Sequence, residues 1–327
     1  MKAVVMHGFG GREVMEIAEV DAPQPGPSQV RVRVLATSVN RADIIQRQGN
    51  YPPPPGESDI LGLEVAGRIE ALGSGVKGWQ VGDRVMGLVA GGGYAEYALA
   101  YAGHLMPIPE TLNDTAAACI SETYITAYLN VFQIGGFHSG QAVLLHGGGG
   151  GVNTAAIQLC RTLVPDGKII VTASAAKLDR VRSLGADRVI DYRAEDFAAE
   201  VKSFTENRGV DVILDHIGAE YMQANMKALA IGGRLLIIGL LGGSAAQVNL
   251  GQLLVKRQQI IGSVIRSRRV EEKAAITEAF KKNVLPLFAD RRIEPLIHRV
   301  YPIEAVRNAH AEMENSRHFG KIVLTLT

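Results

Sequence analysis

Five consecutive glycines, Gly147 to Gly151, follow the strand-like run Gln141-Ala-Val-Leu-Leu-His146 and lead into Val152-Asn-Thr-Ala-Ala-Ile-Gln158, whose apolar positions recur at helical spacing. A turn this tight, between a strand and a helix, needs residues without a Cβ. They reach φ > 0, and they let an anion approach the N–H groups of a helix N-terminus, where the dipole favours negative charge. Gly147, Gly148, Gly150, Gly151, Val152 and Asn153 are therefore the candidate phosphate cradle of a dinucleotide. Glycines alone match many loops, and it is the strand before and the helix after that make the pattern specific.

The alternation continues beyond the loop. Strand-like runs at 168–172, 188–191, 210–215, 234–239 and 259–265 are separated by helical patterns at 152–164, 177–184, 194–206 and 221–230. Runs apolar on both faces, alternating with helices, predict an α/β domain with a doubly wound parallel sheet. One position departs from the dinucleotide fingerprint: with Gly148 and Gly150 in the first two glycine places, the third holds Asn153. Either the helix stands further from the sheet, or the Asn153 amide satisfies an orphan N–H or a cofactor oxygen in the first turn.

The end of the second strand bears on which dinucleotide is taken. An acid there would bond the ribose 2′-OH and repel a 2′-phosphate. This chain reads Val171-Thr-Ala-Ser-Ala-Ala-Lys177, with the hydroxyl of Ser174 and the ammonium of Lys177 in place of an acid. NADPH is the expected cofactor. The competing reading of Lys177 is a solvated lysine at a helix start.

At 327 residues the chain is long enough for about two domains. With 34 basic and 33 acidic residues it offers no basic field for nucleic acid. No apolar run reaches the roughly 20 residues of a membrane span, and the start shows no signal-peptide pattern, so a cytoplasmic location is expected. Cys119 and Cys160 lie in apolar helical surroundings, which favours buried thiols over a disulfide. Residues 1–120 carry short alternating strands, at 30–35, 65–70, 83–87 and 94–98, punctuated by Gly and Pro, a compact β-rich domain, and 121–265 carry the nucleotide-binding pattern. The tail, 266–327, carries helical patterns at 271–288 and 303–316, ends in a strand-like run and is expected to rejoin the first domain.

Several segments together carry a family resemblance: Ser38-Val-Asn-Arg-Ala-Asp43, Gln48-Gly-Asn-Tyr-Pro-Pro-Pro54, Leu61-Gly-Leu-Glu-Val-Ala-Gly67, Val81-Gly-Asp-Arg-Val85, the glycine loop, Gly209-Val-Asp-Val-Ile-Leu-Asp215, Ile265-Arg-Ser-Arg268 and Gly320-Lys-Ile-Val323. Over essentially its whole length the chain resembles the medium-chain dehydrogenase/reductase superfamily. Within it the match is to the zinc-independent NADPH:quinone oxidoreductases of the zeta-crystallin-like branch, tumour-suppressor-inducible type. The resemblance implies a GroES-like β-rich catalytic domain, a Rossmann domain inserted before the tail, and a homodimer joined through the Rossmann sheets. It also implies no metal, since zinc-dependent relatives place a Cys where this chain has Asn40 and a His where it has Leu63. Zinc needs several Cys, His or carboxylate donors at about 2.0 to 2.3 Å. Without a Lewis acid to ionise an alcohol, reduction of an electrophilic acceptor is favoured.

The expected reaction is therefore reduction of a quinone or an activated enone, with the protein holding the acceptor over the cofactor. Orientation of this kind can supply of order 7 to 11 kcal/mol of a barrier. Tyr51, on a loop bounded by glycine and proline, is the expected donor of a hydrogen bond or proton to the reduced oxygen. The alternative is a ring packed on the following prolines. Asn40 and Asp43 are expected as pocket or loop-orienting groups, with Asp43 alternatively capping a helix that begins near Ile44. The resemblance extends the cofactor contacts to Tyr192, to the loop of Gly239, Leu240 and Leu241, and to Arg266, Arg268 and Arg317. The arginines could equally be salt-bridge partners. An enoyl-thioester reductase, and a non-enzymatic NADPH- or RNA-binding protein, are the competing functions.

Overall fold

The β-branched runs in the middle of the chain form a six-stranded sheet in the order Arg188–Asp191, Lys168–Ala173, Ala142–His146, Val210–Asp215, Leu229–Ile237, Gln259–Gly262. Every neighbouring pair is parallel. Counted along the chain this is the strand order 3-2-1-4-5-6, the doubly wound arrangement whose direction reverses between the first and fourth strands. Parallel strands are covered on both faces, which is why they read as continuous apolar runs. Ala142, Leu144, Ile170 and Ile213 accordingly share one core with Phe197, Val201, Met222 and Met226 from the helices Phe197–Phe204 and Met222–Ala228.

The computed structural model describes residues 1–326 and divides into two units: Thr126–Val264, which holds this sheet, and Met1–Ile125 together with the chain from Ile265 onward. In the latter the strands run in the order Ile297–Pro302, Lys321–Thr325, Gln29–Val39, Glu64–Leu72, Arg84–Leu88, Leu105–Pro107, with Tyr97–Tyr101 also paired to Gln29–Val39; the first pair is parallel and the others antiparallel. The tail strand Lys321–Thr325 lies antiparallel on Gln29–Val39, so residues nearly three hundred positions apart share one ladder. Val30, Val32, Val34, Val65, Val85, Ile322 and Leu324 alternate inward to form the core.

Three local expectations shift. The helical pattern read through Ala230 stops at Ala228, because Leu229 turns extended and pairs with Val210. The pattern read over 271–288 splits into Val270–Asn283 and Leu285–Ala289, since Pro286 cannot supply the N–H that a continuous helix needs. The strand read from Tyr94 begins at Tyr97 instead, and Tyr94 turns wholly inward.

Candidate functional site

The first strand of the parallel sheet ends at His146, and Gly147 makes the turn at φ +78°. Gly147 and Gly148 both donate to the Thr172 carbonyl, at 2.9 and 2.8 Å, which folds the loop back over the second strand. Gly150 is the N-cap of the helix Gly151–Leu163 and has no side chain with which to cap it. The first-turn N–H groups of Gly151, Val152 and Asn153 are thus the orphan donors of a helix start lying beside the point where the strand order reverses. The glycines differ in what they do. A Cβ on Gly148 would sit 2.5 Å from Val171, whereas one on Gly149 would sit 2.5 Å from the Lys177 side chain. Gly148 is therefore a packing glycine, and Gly149 leaves room for a lysine stem to cross the loop. The cradle fits a pyrophosphate.

Asn153 resolves its own ambiguity. Its Nδ2 donates to the His146 carbonyl at 2.5 Å and to the Gly147 carbonyl at 3.3 Å, tying helix to strand, and so it does not satisfy an orphan N–H. A glycine at this place packs helix and strand closely, and the amide of Asn153 bridges them by hydrogen bonds. Its Oδ1 is buried without a protein partner.

A buried relay supports the loop from below. The Asn225 Nδ2 donates to Asp215 at 3.1 Å, which leaves its Oδ1 to accept from His146 Nε2 at 2.7 Å. His146 Nδ1 then accepts from the Thr172 hydroxyl at 3.0 Å, and that hydroxyl oxygen accepts from Gly147 N at 3.2 Å. Burial pushes His146 down to about 3, so it is a neutral imidazole with a fixed tautomer.

The other expected cofactor residues of this unit lie on the same edge of the sheet. Ser174 and Lys177 directly follow the second strand, and Tyr192 directly follows the third, its N–H reaching the Ala173 carbonyl at 3.4 Å. Burial lowers the Lys177 ammonium from its ordinary value. Gly239 faces His216, and Leu241 and Gly242 donate to the carbonyls of His216 and Ile217, zipping the loops after the fourth and fifth strands together. Leu240 and Leu241 remain exposed.

In the other unit Asn40 and Asp43 belong to a polar cluster in an otherwise apolar interior. Asn40 caps the helix Arg41–Arg47, but its side chain accepts from Lys321 Nζ at 2.6 Å and donates to Glu64 Oε1 at 3.1 Å. Glu64 is fully buried, and the same oxygen also accepts from Ser38 at 2.5 Å and Lys321 at 3.0 Å. Its Oε2 accepts from the backbone of Glu122 at 2.9 Å.

For Asp43 the capping alternative falls away. It is the third residue of the helix and not its cap, is wholly buried, and accepts from Asn40 N, Gly62 N and the Tyr94 hydroxyl at 2.7, 3.2 and 3.1 Å. With its oxygens engaged by protein donors it orients the Gly62 turn and touches nothing outside. Behind it Tyr94 also meets His310 Nε2 at 3.2 Å, and His310 Nδ1 takes Arg47 at 3.1 Å. Burial holds the Tyr94 phenol well above its ordinary range and pushes Asp43 up to about 6, with hydrogen bonding from the Asn40 backbone opposing the latter.

Arg266 is a second correction. Expected at the cofactor, its guanidinium is 7% exposed and bound to protein: Nε to the Ala90 carbonyl at 2.8 Å, Nη1 to the Tyr51 carbonyl at 3.1 Å, Nη2 to Gln46 Oε1 at 2.8 Å. It also lies 5.1 Å from the centre of the Tyr51 ring. The fork holds the Tyr51 loop because its planar array of donors spans three acceptors at once. Among the described residues none hydrogen-bonds the Tyr51 hydroxyl, and burial pushes that phenol up to about 12. Arg268 is half-buried, with its N–H on the Ile265 carbonyl, and Arg317 is exposed.

Glu64, Lys321, Tyr94 and Glu122 were not singled out from sequence. A signal was present for two of them. Glu64 and Lys321 each open a strand whose next residues are apolar, and a buried charge demands a partner of opposite sign.

Among the described residues no group of three or more His, Cys, Asp or Glu is placed to hold a metal ion, and no helix is long and apolar enough to cross a membrane. Two family profiles match the chain: an alcohol dehydrogenase GroES-like domain over residues 26–110, and a zinc-binding dehydrogenase over 184–324. The quinone oxidoreductase of Rattus norvegicus is 31% identical over 330 residues, covering 100% of this chain and 98% of the relative. The rat synaptic vesicle membrane protein VAT-1 homolog is 31% identical over 342 residues, covering 99% of this chain and 84% of the relative. A mycobacterial protein solved in complex with NADPH superposes with a TM-score of 0.89 at 28% identity, with full coverage of both chains.

Proposed function

From the chain's membership of the medium-chain dehydrogenase/reductase superfamily, a family of oxidoreductases, we propose that it is a zinc-independent, NADPH-dependent reductase of quinones or related activated enones. The observation that carries this reading is the side-chain-free cradle at 147–151 with Lys177 crossing it and no acid at the end of the second strand. The NADPH complex of the mycobacterial neighbour and the full-length match to a quinone oxidoreductase support it.

The dinucleotide, when bound, supplies a hydride. The chain's residues do the rest. First-turn N–H groups of Gly151, Val152 and Asn153 bind the pyrophosphate, and Ser174 and Lys177 meet the 2′-phosphate as hydroxyl donor and point charge. Tyr192 and the backbone at Gly239, Leu240 and Leu241 border the same edge. Tyr51, kept protonated by its raised pKa, donates a hydrogen bond to the acceptor's carbonyl oxygen, and Arg266 fixes the loop that presents it. Asn40, 8% exposed and held by Lys321 and Glu64, puts an amide where zinc-dependent relatives carry a ligand.

A homodimer is part of the proposal. The strand Gln259–Gly262 is an edge of the sheet, and the helix before it exposes Leu250 (71%), Leu254 (77%) and Val255 (76%). An open edge beside such a patch is a surface that a second copy would cover.

The test is the loss of NADPH absorbance with 1,4-benzoquinone or 9,10-phenanthrenequinone, run with and without a zinc chelator. Turnover that requires NADPH and ignores the chelator is expected. No oxidation of NADPH with any quinone or enone would end the reading.

A further inference from the structure

We infer that His216 is a cofactor-binding residue whose imidazole donates a hydrogen bond to the nicotinamide-side phosphate–ribose junction of the dinucleotide, an assignment that rests on the NADPH reading above. The residue belongs to the unit that holds the glycine cradle, Thr126–Val264, and directly follows the fourth strand, Val210–Asp215. That strand pairs with the first, Ala142–His146, so both end where the strand order reverses. A doubly wound sheet takes its dinucleotide across the crevice at that point.

The ring lies against the turn that opens the cradle. A Cβ built on Gly147 would stand 2.7 Å from His216 Cε1 and 2.8 Å from Nε2, well inside van der Waals contact. Gly147 is therefore bare on the side where the imidazole crosses it. A Cβ on Gly239 would meet the Cβ, carbonyl oxygen and Cα of His216 at 3.0, 3.1 and 3.2 Å, so the residue is bordered by the cradle and by the loop after the fifth strand. Two histidines thus stand at the ends of adjacent strands, and only one has surface to offer. His146 is fully buried with both ring nitrogens engaged, by Thr172 and Asn225, whereas His216 is half-buried.

The backbone that carries the ring is fixed before any ligand arrives. The Asp215 carboxylate accepts from Ile217 N at 2.7 Å and from Gly218 N at 3.1 Å, and the His216 carbonyl accepts from Leu241 N at 3.1 Å. A donor held in this way loses little freedom on binding. Its place along the sheet selects the half of the ligand it meets. Ser174 and Lys177 follow the second strand, the cradle follows the first, His216 follows the fourth and Gly239 follows the fifth, and the sheet runs 2-1-4-5 through these strands. With the 2′-phosphate at Lys177 and the diphosphate at the helix start, His216 comes next along the crevice, on the nicotinamide side. An imidazole suits a phosphate oxygen or a ribose hydroxyl because either ring nitrogen can carry the donated proton.

Isothermal titration with NADPH and with adenosine 2′,5′-bisphosphate, which carries the 2′-phosphate and the adenine-side phosphate and nothing beyond them, separates the two halves. His216→Ala is expected to weaken NADPH about tenfold and to leave the bisphosphate unchanged, and His216→Gln, which keeps a donor, is expected to recover part of the loss. In the wild-type chain labelled with nitrogen-15 at histidine, the His216 ring signals, assigned by their absence from His216→Gln, are expected to shift with saturating NADPH and to stay in place with the bisphosphate. Neither readout needs turnover. Unchanged NADPH affinity in His216→Ala, or ring signals that ignore NADPH, would overturn the assignment. An equal loss for both ligands would overturn it too, since the ring would then only pack the Gly147 turn. Each of those results leaves the cofactor reading intact, whereas a wild-type chain that binds neither ligand would overturn both.

Discussion

Replacing Arg266 by lysine keeps the positive charge and removes the fork. The guanidinium makes three charge-assisted hydrogen bonds, to Ala90 O, Tyr51 O and Gln46 Oε1, at 7% exposure. Bonds of this class are worth about 1.5 to 3 kcal/mol each, and the contact with the Tyr51 ring adds about 0.5 to 1. A lysine ammonium on a flexible stem keeps one of the three acceptors at most. Losses within one network are not additive, so the local cost comes to about 3 kcal/mol, or about 10²-fold in the opening equilibrium of the Tyr51 loop. The two-unit chain is a poor subject for a single unfolding free energy, and native-state hydrogen exchange reads the opening directly. The reporters are the amides of Asn50, Glu57 and Gly92, bonded to Ile45, Pro54 and Ile60. Their protection is expected to fall about 10²-fold in Arg266→Lys, with that of Leu144 in the parallel sheet unchanged. Unaltered exchange at Asn50 and Glu57 would refute the clamp, and so would a uniform acceleration across the whole unit.

Lys177→Ala is expected to weaken NADPH about tenfold by isothermal titration while leaving NADH unchanged, the low end of a charge-assisted phosphate contact because the ammonium is half-exposed. Leu254→Glu, at a site 77% exposed, is expected to turn a dimer into a monomer by sedimentation without loss of fold. Acid should weaken the unit that holds the parallel sheet through His146. Its folded pKa is depressed to about 3, so its contribution is complete above the ordinary value near 6.5 and is lost as pH falls from there towards 3, which amounts to about 2 kcal/mol by pH 5. Asp215, raised to about 6, moves the wild type the other way, so the measurement is the difference between wild type and His146→Gln in exchange of the 142–146 strand.

The doubly wound sheet and the glycine cradle were legible because their signals are contiguous: a strand, a loop and a helix in one stretch, repeated with the same period. The polar cluster of the other unit was not. Asn40, Glu64, Glu122, Arg266 and Lys321 come from five separated segments, and no spacing rule joins them. Arg266 was open to a phosphate or a salt-bridge role, yet a guanidinium binds backbone carbonyls equally well, and only the fold shows which acceptors surround it. For Asp43 the loop-orienting reading agrees with its bond to Gly62 N, while the capping alternative fell three residues late, since Asn40 and Asp43 are both good capping residues and Asn40 takes the cap position.

That need explains why restoring one ligand would not restore a metal. Asn40→Cys puts a thiol where zinc-dependent relatives carry a ligand, but the neighbouring position, Leu63, is a buried leucine with no donor. The cationic place beside Glu64 is already held by Lys321 at 3.0 Å, and that ammonium also contacts the Val39 carbonyl at 3.4 Å. A divalent ion would have to displace a buried lysine whose removal leaves Glu64 uncompensated, a loss of about 3 to 5 kcal/mol, in exchange for a single thiolate and one carboxylate. Asn40→Cys is therefore expected to bind less than stoichiometric zinc after dialysis by elemental analysis, and to unfold more readily because Lys321 has lost its 2.6 Å acceptor. Tight binding of one zinc per chain by that single variant would show that the lysine yields, and that the charge of Glu64, and not the geometry around it, governs what the cluster holds.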